Sequence, residues 1–210
     1  MHRQPLVRAV VALHAAVVLL CAPSLAHAQH AVRADSVRLS PHYWRYFAAG
    51  FGASILLHEA GHIGMSLALG AHPTFGFNKG RPTVYSGISA ENDPHKQFLF
   101  SSIGLELQAL LDEGILDIPH HRGSAFERGV LGGGIGTTLF YLTIGRVGNV
   151  SDVAYMSRTH ALTGTEVTLL FGGVAAMHTI RIARDHHYAD FFARPQGNGV
   201  AVGVSVAPNP

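Results

Sequence analysis

The feature that most constrains this chain is a long apolar stretch, residues 43–69, with three ionisable residues in its middle. Between residues 47 and 70 the only ionisable side chains are His58, Glu59 and His62. At a rise of about 1.5 Å per residue, a helix over this stretch is long enough to cross a hydrocarbon core of roughly 30 Å. Each ionisable group in the middle of such a span costs on the order of 2.5 kcal/mol or more. Three together therefore predict compensation by a metal ion or by water.

The three residues form an H-E-x-x-H motif, His58-Glu59-Ala60-Gly61-His62. Positions i and i+4 of a helix project from one face, so the two histidines can offer imidazole nitrogens to one Zn²⁺. Glu59 then lies beside the metal rather than on it, where a carboxylate acts as the general base on a metal-bound water. The alternative is a pair of histidines that are hydrogen-bonded inside a helical bundle and bind no metal.

A catalytic zinc takes three protein ligands and keeps one position for water, so a third ligand has to be found. The metzincin extension of the motif requires Gly at 65 and His at 68. Met65 and Ala68 occupy these positions and exclude that family. A thermolysin-like scheme requires a downstream glutamate, and the spacing leaves several open. They are Glu91, Glu106, Glu113 and Glu166.

The composition predicts a membrane chain. Hydrophobic residues make up 48% of the sequence and charged residues 13%, against about 25% charged in ordinary soluble domains. High hydrophobicity excludes an intrinsically disordered chain, and a net charge of +2 without a basic cluster excludes a nucleic-acid partner. The partner that composition predicts is membrane lipid. The single cysteine, Cys21, excludes a disulfide framework and a cysteine zinc site.

The amino terminus, residues 1–28, has the three parts of a secretory signal peptide. Arg3 and Arg8 precede an apolar run over residues 9–21, and Ala26-His27-Ala28 supplies a small-residue cleavage pattern. The alternative is an uncleaved first membrane helix. Residues 29–42 are polar and predict an exposed lead-in. Export through this signal places the chain in the cell membrane, the inner membrane of a bacterium, as a multi-pass protein.

Residues 43–190 are predicted to form one all-α domain, a multi-pass helical bundle with about four spans after the signal peptide. The apolar segments are 43–69, 97–118, 129–144 and 167–182. The second carries Glu106, Asp112 and Glu113, which makes it a weaker span. Gly, Pro and Asn with short β-prone pieces predict a hairpin-like loop near residues 72–90. In the tail, residues 191–210, valines at every second position predict a strand at 199–206.

The later segment Gly148-Asn149-Val150-Ser151-Asp152-Val153 gives the H-E-x-x-H motif a second partner. With it, the sequence resembles the short, compact branch of the site-2 protease family of intramembrane zinc metalloproteases. The order of the motifs agrees with that of the family, since a loop with Pro82 and Tyr85 and a span with Gly104 lie between the two motifs. The resemblance covers roughly residues 45–184. The fuller N-P-x-x-D-G pattern of many members is absent.

The resemblance implies that Asp152 is the third zinc ligand, with Asn149 shortly before it. Glu166 is the next choice of ligand, and His178, inside the last span, is a further ionisable group that could lie beside the site. A competing interpretation makes Ser151 or Asp152 the N-cap of a helix. The activity that the resemblance implies is zinc-dependent endopeptidase cleavage in or near the bilayer, with a peptide or a membrane protein as the substrate. The alternatives are a non-proteolytic binding or chaperone protein of the same fold, and a soluble exported zincin-type hydrolase whose apolar stretches are core helices.

Overall fold

Five helices and two β-hairpins make up the part of the chain that the structure, a computed structural model, describes: residues 41–78, 80–145, 151–196 and 199–205. The helices are α1 (Pro41–Ala68), α2 (Pro94–Asp117), α3 (Ala125–Leu142), α4 (Asp152–Arg158) and α5 (Gly164–Arg184). The strands are β1 (Thr74–Asn78), β2 (Arg81–Tyr85), β3 (Asp190–Gln196) and β4 (Gly199–Ser205). The predicted signal peptide, nearly all of the lead-in and Asn149 lie outside the described residues.

The mainly helical class is confirmed, and each of the four apolar segments contains a long helix. Local sequence explains where these helices begin. Pro94 occupies the first turn of α2, where its missing N–H removes no hydrogen bond. Ser124 and Glu127 form a reciprocal capping box at the start of α3. The short helix α4 and the long helix α5 begin behind the caps Ser151 and Thr163.

Glycines let α1 and α3 cross with their backbones almost in contact. A Cβ added at Gly50 would lie 2.0 Å from the carbonyl oxygen of Phe126, and one at Gly129 would lie 2.1 Å from that of Phe47. Any larger residue would push the two helices apart, so these two glycines allow the close packing of α1 against α3. This crossing fixes α1, which carries both motif histidines, against α3.

A small apolar core holds α4 and α5 against α2. Its buried members are Phe98, Leu105, Leu142, Val153, Met156, Leu162, Val167 and Phe171. Met156 and Val167 have no exposed surface. Because α4 is only seven residues long, its position depends on this packing rather than on its own helix stability.

The first hairpin lies between α1 and α2 in the sequence, and the second follows α5. β1 pairs antiparallel with β2 in the register Thr74 to Tyr85, and Gly80 in the connecting turn has φ +79°, so the hairpin predicted near 72–90 is confirmed. In the tail, β4 covers residues 199–205 of the strand predicted at 199–206, and residue 206 lies outside the described residues. β4 pairs with β3, a strand that the sequence pattern did not predict.

The prediction of about four membrane spans was wrong. Among the described residues, α5 alone is long and apolar enough to cross a membrane, with a mean hydropathy of 1.2 over its best 18-residue window. The motif residues of α1, the carboxylates of α2, and the glycines with Glu127 and Arg128 of α3 lower the hydropathy of the other helices. The lengths of the apolar segments therefore predicted the long helices correctly, but they overestimated the number of membrane spans.

Candidate metal centre

The motif histidines lie together on one face of α1, as predicted. Their side chains are one turn apart and almost fully buried, with 1% of His58 and 3% of His62 exposed. The two Nε2 atoms are 3.1 Å apart, and the ring centroids are 4.7 Å apart. Two buried imidazole nitrogens this close together could share one ligand.

Asp152, at the start of α4, supplies the third donor. Its Oδ2 lies 3.0 Å from Nε2 of His58 and 3.3 Å from Nε2 of His62, and only 9% of the residue is exposed. The N-cap of α4 is Ser151, one of the two residues predicted for this role, and its hydroxyl accepts a hydrogen bond from the N–H of Ala154. Because Ser151 caps the helix, the carboxylate of Asp152 is directed to the histidines instead.

The electrostatics of the site keep Asp152 ionised. Burial alone would raise the pKa of this carboxyl. When the imidazoles of His62 and His58 carry a proton on Nε2, their positive charge and their hydrogen bonds outweigh burial and hold the pKa of Asp152 well below the ordinary aspartate value. The site therefore offers one carboxylate oxygen and two imidazole nitrogens within 4.8 Å of one another, a group that could hold a metal ion.

His62 is held in the tautomer that metal binding requires. Its Nδ1 lies 2.7 Å from the carbonyl oxygen of Phe100. A carbonyl can only accept, so Nδ1 carries a proton, and in the neutral ring Nε2 then has the free lone pair that faces His58 and Asp152. Metal-binding histidines in proteins are commonly oriented in this way. The donor set, with lone pairs converging on one point, is chemically suited to a cation.

Glu59 lines the pocket that opens beside these donors. Burial raises the pKa of this half-buried carboxyl, although the backbone N–H of Val84 in β2 donates a hydrogen bond to it and the neighbouring histidines favour its charged form. The pocket is lined by Glu59, His62, Pro82, Thr83, Val84, Phe100, Tyr141, Ser151, Asp152 and Tyr155. The first hairpin thus forms one wall of the site. A carboxylate in a pocket beside these donor atoms could accept and release a proton.

Close contacts from α2 and α3 hold the ring of His58, and sequence reasoning did not predict them. A Cβ added at Gly104 would lie 2.5 Å from Cε1 of His58, so the ring fills the space that this glycine leaves. Tyr141 stacks on the same ring at 5.6 Å between centroids and 11° between planes. Gln108 lies 3.0 Å from Nδ1 of His58. The spacing of Gly104 and Gln108, four residues apart, places both on one face of α2, and this spacing could have indicated from the sequence that they contact the same neighbour.

Two other predicted site residues lie elsewhere. The prediction of Glu166 as an alternative ligand was wrong. Its carboxylate accepts hydrogen bonds from the N–H and the hydroxyl of Thr163, 2.8 and 3.0 Å away, and so caps α5. His178 is buried against α2, with Nε2 at 2.8 Å from Glu113 and Nδ1 at 3.6 Å from Asp112. Neither belongs to the group formed by the motif histidines and Asp152.

A second group in the described part of the chain, Asp185, His186 and His187, also has donor atoms near one another. Its carboxylate is already occupied. Oδ2 of Asp185 pairs with Arg122 at 3.1 Å, and Oδ1 accepts from the backbone N–H of His187 at 2.9 Å. Burial would raise the pKa of Asp185, but His187 and Arg122 outweigh burial and lower it. An arginine on the carboxylate disfavours a metal cation there, so we assign this group a role in ending α5.

Comparisons with known proteins identify no relative of this chain. No protein-family model, no curated protein and no solved structure matches the chain. The function is therefore argued from the site itself.

Proposed function

We propose that this protein is a zinc-dependent endopeptidase that works in or next to a membrane. The observation that carries the proposal is the convergence of His58, His62 and Asp152, with Glu59 in the same pocket. Two imidazole nitrogens and one carboxylate oxygen are a ligand set that Zn²⁺ accepts, and three protein ligands leave a fourth position for a reacting group. The resemblance of the motif order to the site-2 protease family supports the same activity.

Each residue of the site has a distinct part in the reaction. His58, His62 and Asp152 would hold Zn²⁺, which supplies Lewis acidity toward water and the scissile carbonyl when it is bound. Glu59 accepts the proton of the attacking water and delivers it to the leaving amine. The bond broken is the C–N bond of the peptide, and the bond formed joins the carbonyl carbon to the water oxygen. Val84, through its hydrogen bond, keeps the Glu59 carboxylate at the pocket wall.

The distribution of polar and apolar side chains supports a membrane location. The long helices bury polar groups toward one another and expose large apolar side chains. The buried polar residues on them include Ser54, Ser66, Gln97, Ser101, Gln108, Asp112, Thr138 and His178. The exposed apolar ones include Leu56, Leu67, Leu110, Leu139, Leu169 and Ile180. Extensive exposed apolar surface around a polar interior favours contact with lipid over contact with water.

Helix α5 is the proposed membrane anchor. It is long and apolar enough to cross a bilayer, and only 28% of its most apolar 18-residue window is buried. A core helix of a soluble protein would have most of that window buried. We propose that α5 spans the membrane.

The test measures zinc content and cleavage in the same preparations of the full chain, purified in detergent. The probes are fluorescein-labelled casein and a labelled single-span membrane peptide. We expect about one zinc per chain, lost in His58→Ala. Glu59→Gln should keep the zinc while cleavage falls about 10²- to 10⁴-fold. Equal cleavage by wild type and Glu59→Gln, or a zinc content that His58→Ala leaves unchanged, contradicts the proposal.

A further inference from the structure

Gln108 is a fully buried polar residue of α2 that links the metal centre to the backbone of α1. Only 1% of it is exposed. Its Oε1 lies 3.0 Å from Nδ1 of His58. Its Nε2 lies 3.2 Å from the carbonyl oxygen of Ser54 and 2.9 Å from the hydroxyl of the same residue. A third contact joins Nε2 to Oγ1 of Thr137 at 3.4 Å.

These contacts allow only one orientation of the amide. The carbonyl of Ser54 can accept but cannot donate, so the group facing it must be the amide nitrogen. The amide oxygen of Gln108 therefore faces His58. That oxygen is itself only an acceptor, so Nδ1 of His58 must carry the proton that it accepts. The reverse orientation would place two carbonyl oxygens against each other in a buried site.

The protonation of Nδ1 decides what the other nitrogen of the ring can do. In a neutral imidazole with the proton on Nδ1, Nε2 has a free lone pair. Nε2 of His58 is the atom that lies 3.0 Å from Oδ2 of Asp152 and 3.1 Å from Nε2 of His62. Phe100 imposes the same tautomer on His62 through its carbonyl oxygen. Both imidazoles are thus set to direct lone pairs to one point.

We infer that Gln108 is a positioning residue of the metal centre, which holds His58 in the Nδ1–H tautomer and orients its Nε2 toward a bound Zn²⁺. This inference rests on the proposed function. Groups that hydrogen-bond the second nitrogen of a metal-binding histidine contribute about 10- to 100-fold to metal affinity. Gln108 reaches His58 across 50 positions of sequence, so the tautomer depends on the packing of α2 against α1.

The chain offers a matched control on the same helix. Gln97 is also a buried glutamine of α2, with 3% exposed, and its amide makes two hydrogen bonds. Its Nε2 donates to Ser101, and its Oε1 accepts from Ser86, both at 3.0 Å. Neither contact involves the metal centre. Replacing either glutamine by methionine keeps the side-chain length and removes the hydrogen bonds, so both variants test the cost of losing a buried amide.

The experiment measures zinc affinity by competition with a chromophoric chelator, using zinc-free full chain in detergent. We expect Gln108→Met to weaken zinc binding by about 10- to 100-fold and Gln97→Met to leave it within about twofold of wild type. Thermal unfolding of the zinc-free proteins reports the loss of stability that the two variants share. Unchanged zinc affinity in Gln108→Met, or an equal loss in Gln97→Met, overturns the inference.

A second measurement needs no variant and covers the case in which Gln108→Met fails to fold. In zinc-loaded wild type labelled with ¹⁵N-histidine, we expect the His58 ring to bind zinc through Nε2 and to keep a proton on Nδ1. Zinc on Nδ1, or an unprotonated Nδ1, overturns the inference. The variant His58→Ala separates the two proposals. If it binds zinc like wild type, the proposed function fails, and if it loses zinc while Gln108→Met does not, only the role of Gln108 fails.

Discussion

Substitution of Gly104 by alanine should damage the metal centre through a single methyl group. An added Cβ at this position would lie 2.5 to 2.7 Å from three atoms of the His58 ring. Ordinary contacts of a Cβ begin at 3.4 Å, so the ring would have to move by roughly 0.9 Å, the difference between 3.4 and 2.5 Å. Zinc–ligand distances tolerate only about 0.2 Å. The displaced ring therefore leaves the position that the other two ligands share.

The magnitudes of the effect on stability and on zinc binding differ. Alanine gains about 1 kcal/mol over glycine in a helix, and overpacking costs about 1–3 kcal/mol. The zinc-free Gly104→Ala protein should thus be between unchanged and about 2 kcal/mol less stable. Zinc affinity should fall by at least about tenfold, since a misplaced ligand acts directly on the metal.

The assay is the same chelator competition, with Gly64→Ala as the control. Gly64 lies in α1 and has nothing within 4 Å of an added Cβ, so alanine there should leave zinc affinity unchanged and stability equal or higher. If Gly104→Ala binds zinc within about twofold of wild type, the contact between this glycine and His58 does not position the ring, and the reasoning is refuted.

Three further predictions concern the third ligand, the membrane and acid stability. Asp152→Asn should weaken zinc binding by at least about tenfold, whereas Glu166→Gln should cost only about 1 kcal/mol of stability and leave zinc bound; equal zinc affinity in both variants would contradict this assignment. Leu169→Lys, at a position of α5 that is 71% exposed, should cost up to about 2.5–3.5 kcal/mol of membrane insertion, measured as the carbonate-resistant fraction, against a neutral Leu169→Phe control. A lysine variant that stays in the membrane fraction like wild type would argue against lipid contact on that face. Because the pKa of Asp185 is lowered on folding, its contribution to stability is complete above about pH 4 and is lost as the pH falls below that value. Asp185→Asn should therefore flatten the decline of the unfolding temperature on the acid side, and a decline as steep as that of wild type would show that another group causes it.

Much of the local structure could be predicted because short-range rules determine it. The i, i+4 spacing of His58 and His62 places both imidazoles on one helix face whatever surrounds the helix. Turn residues around Gly80 and the alternation in the tail likewise predicted strands that are present. The number of membrane spans could not be predicted in the same way. A helix that carries a buried polar site can have an apolar segment as long as that of a membrane span.

The sequence by itself thus determined the helices, the hairpin near residues 72–90 and the histidine pair, since each depends on neighbours within a few residues. Tertiary structure decided the rest of the site. Spacing left several carboxylates open as the third donor, and packing of α4 against α2 brings Asp152 to His58 across 94 positions while Glu166 caps its own helix. Gln108 acquires its place from the same packing. Contacts between residues far apart in the chain depend on how the helices pack, which no local pattern specifies.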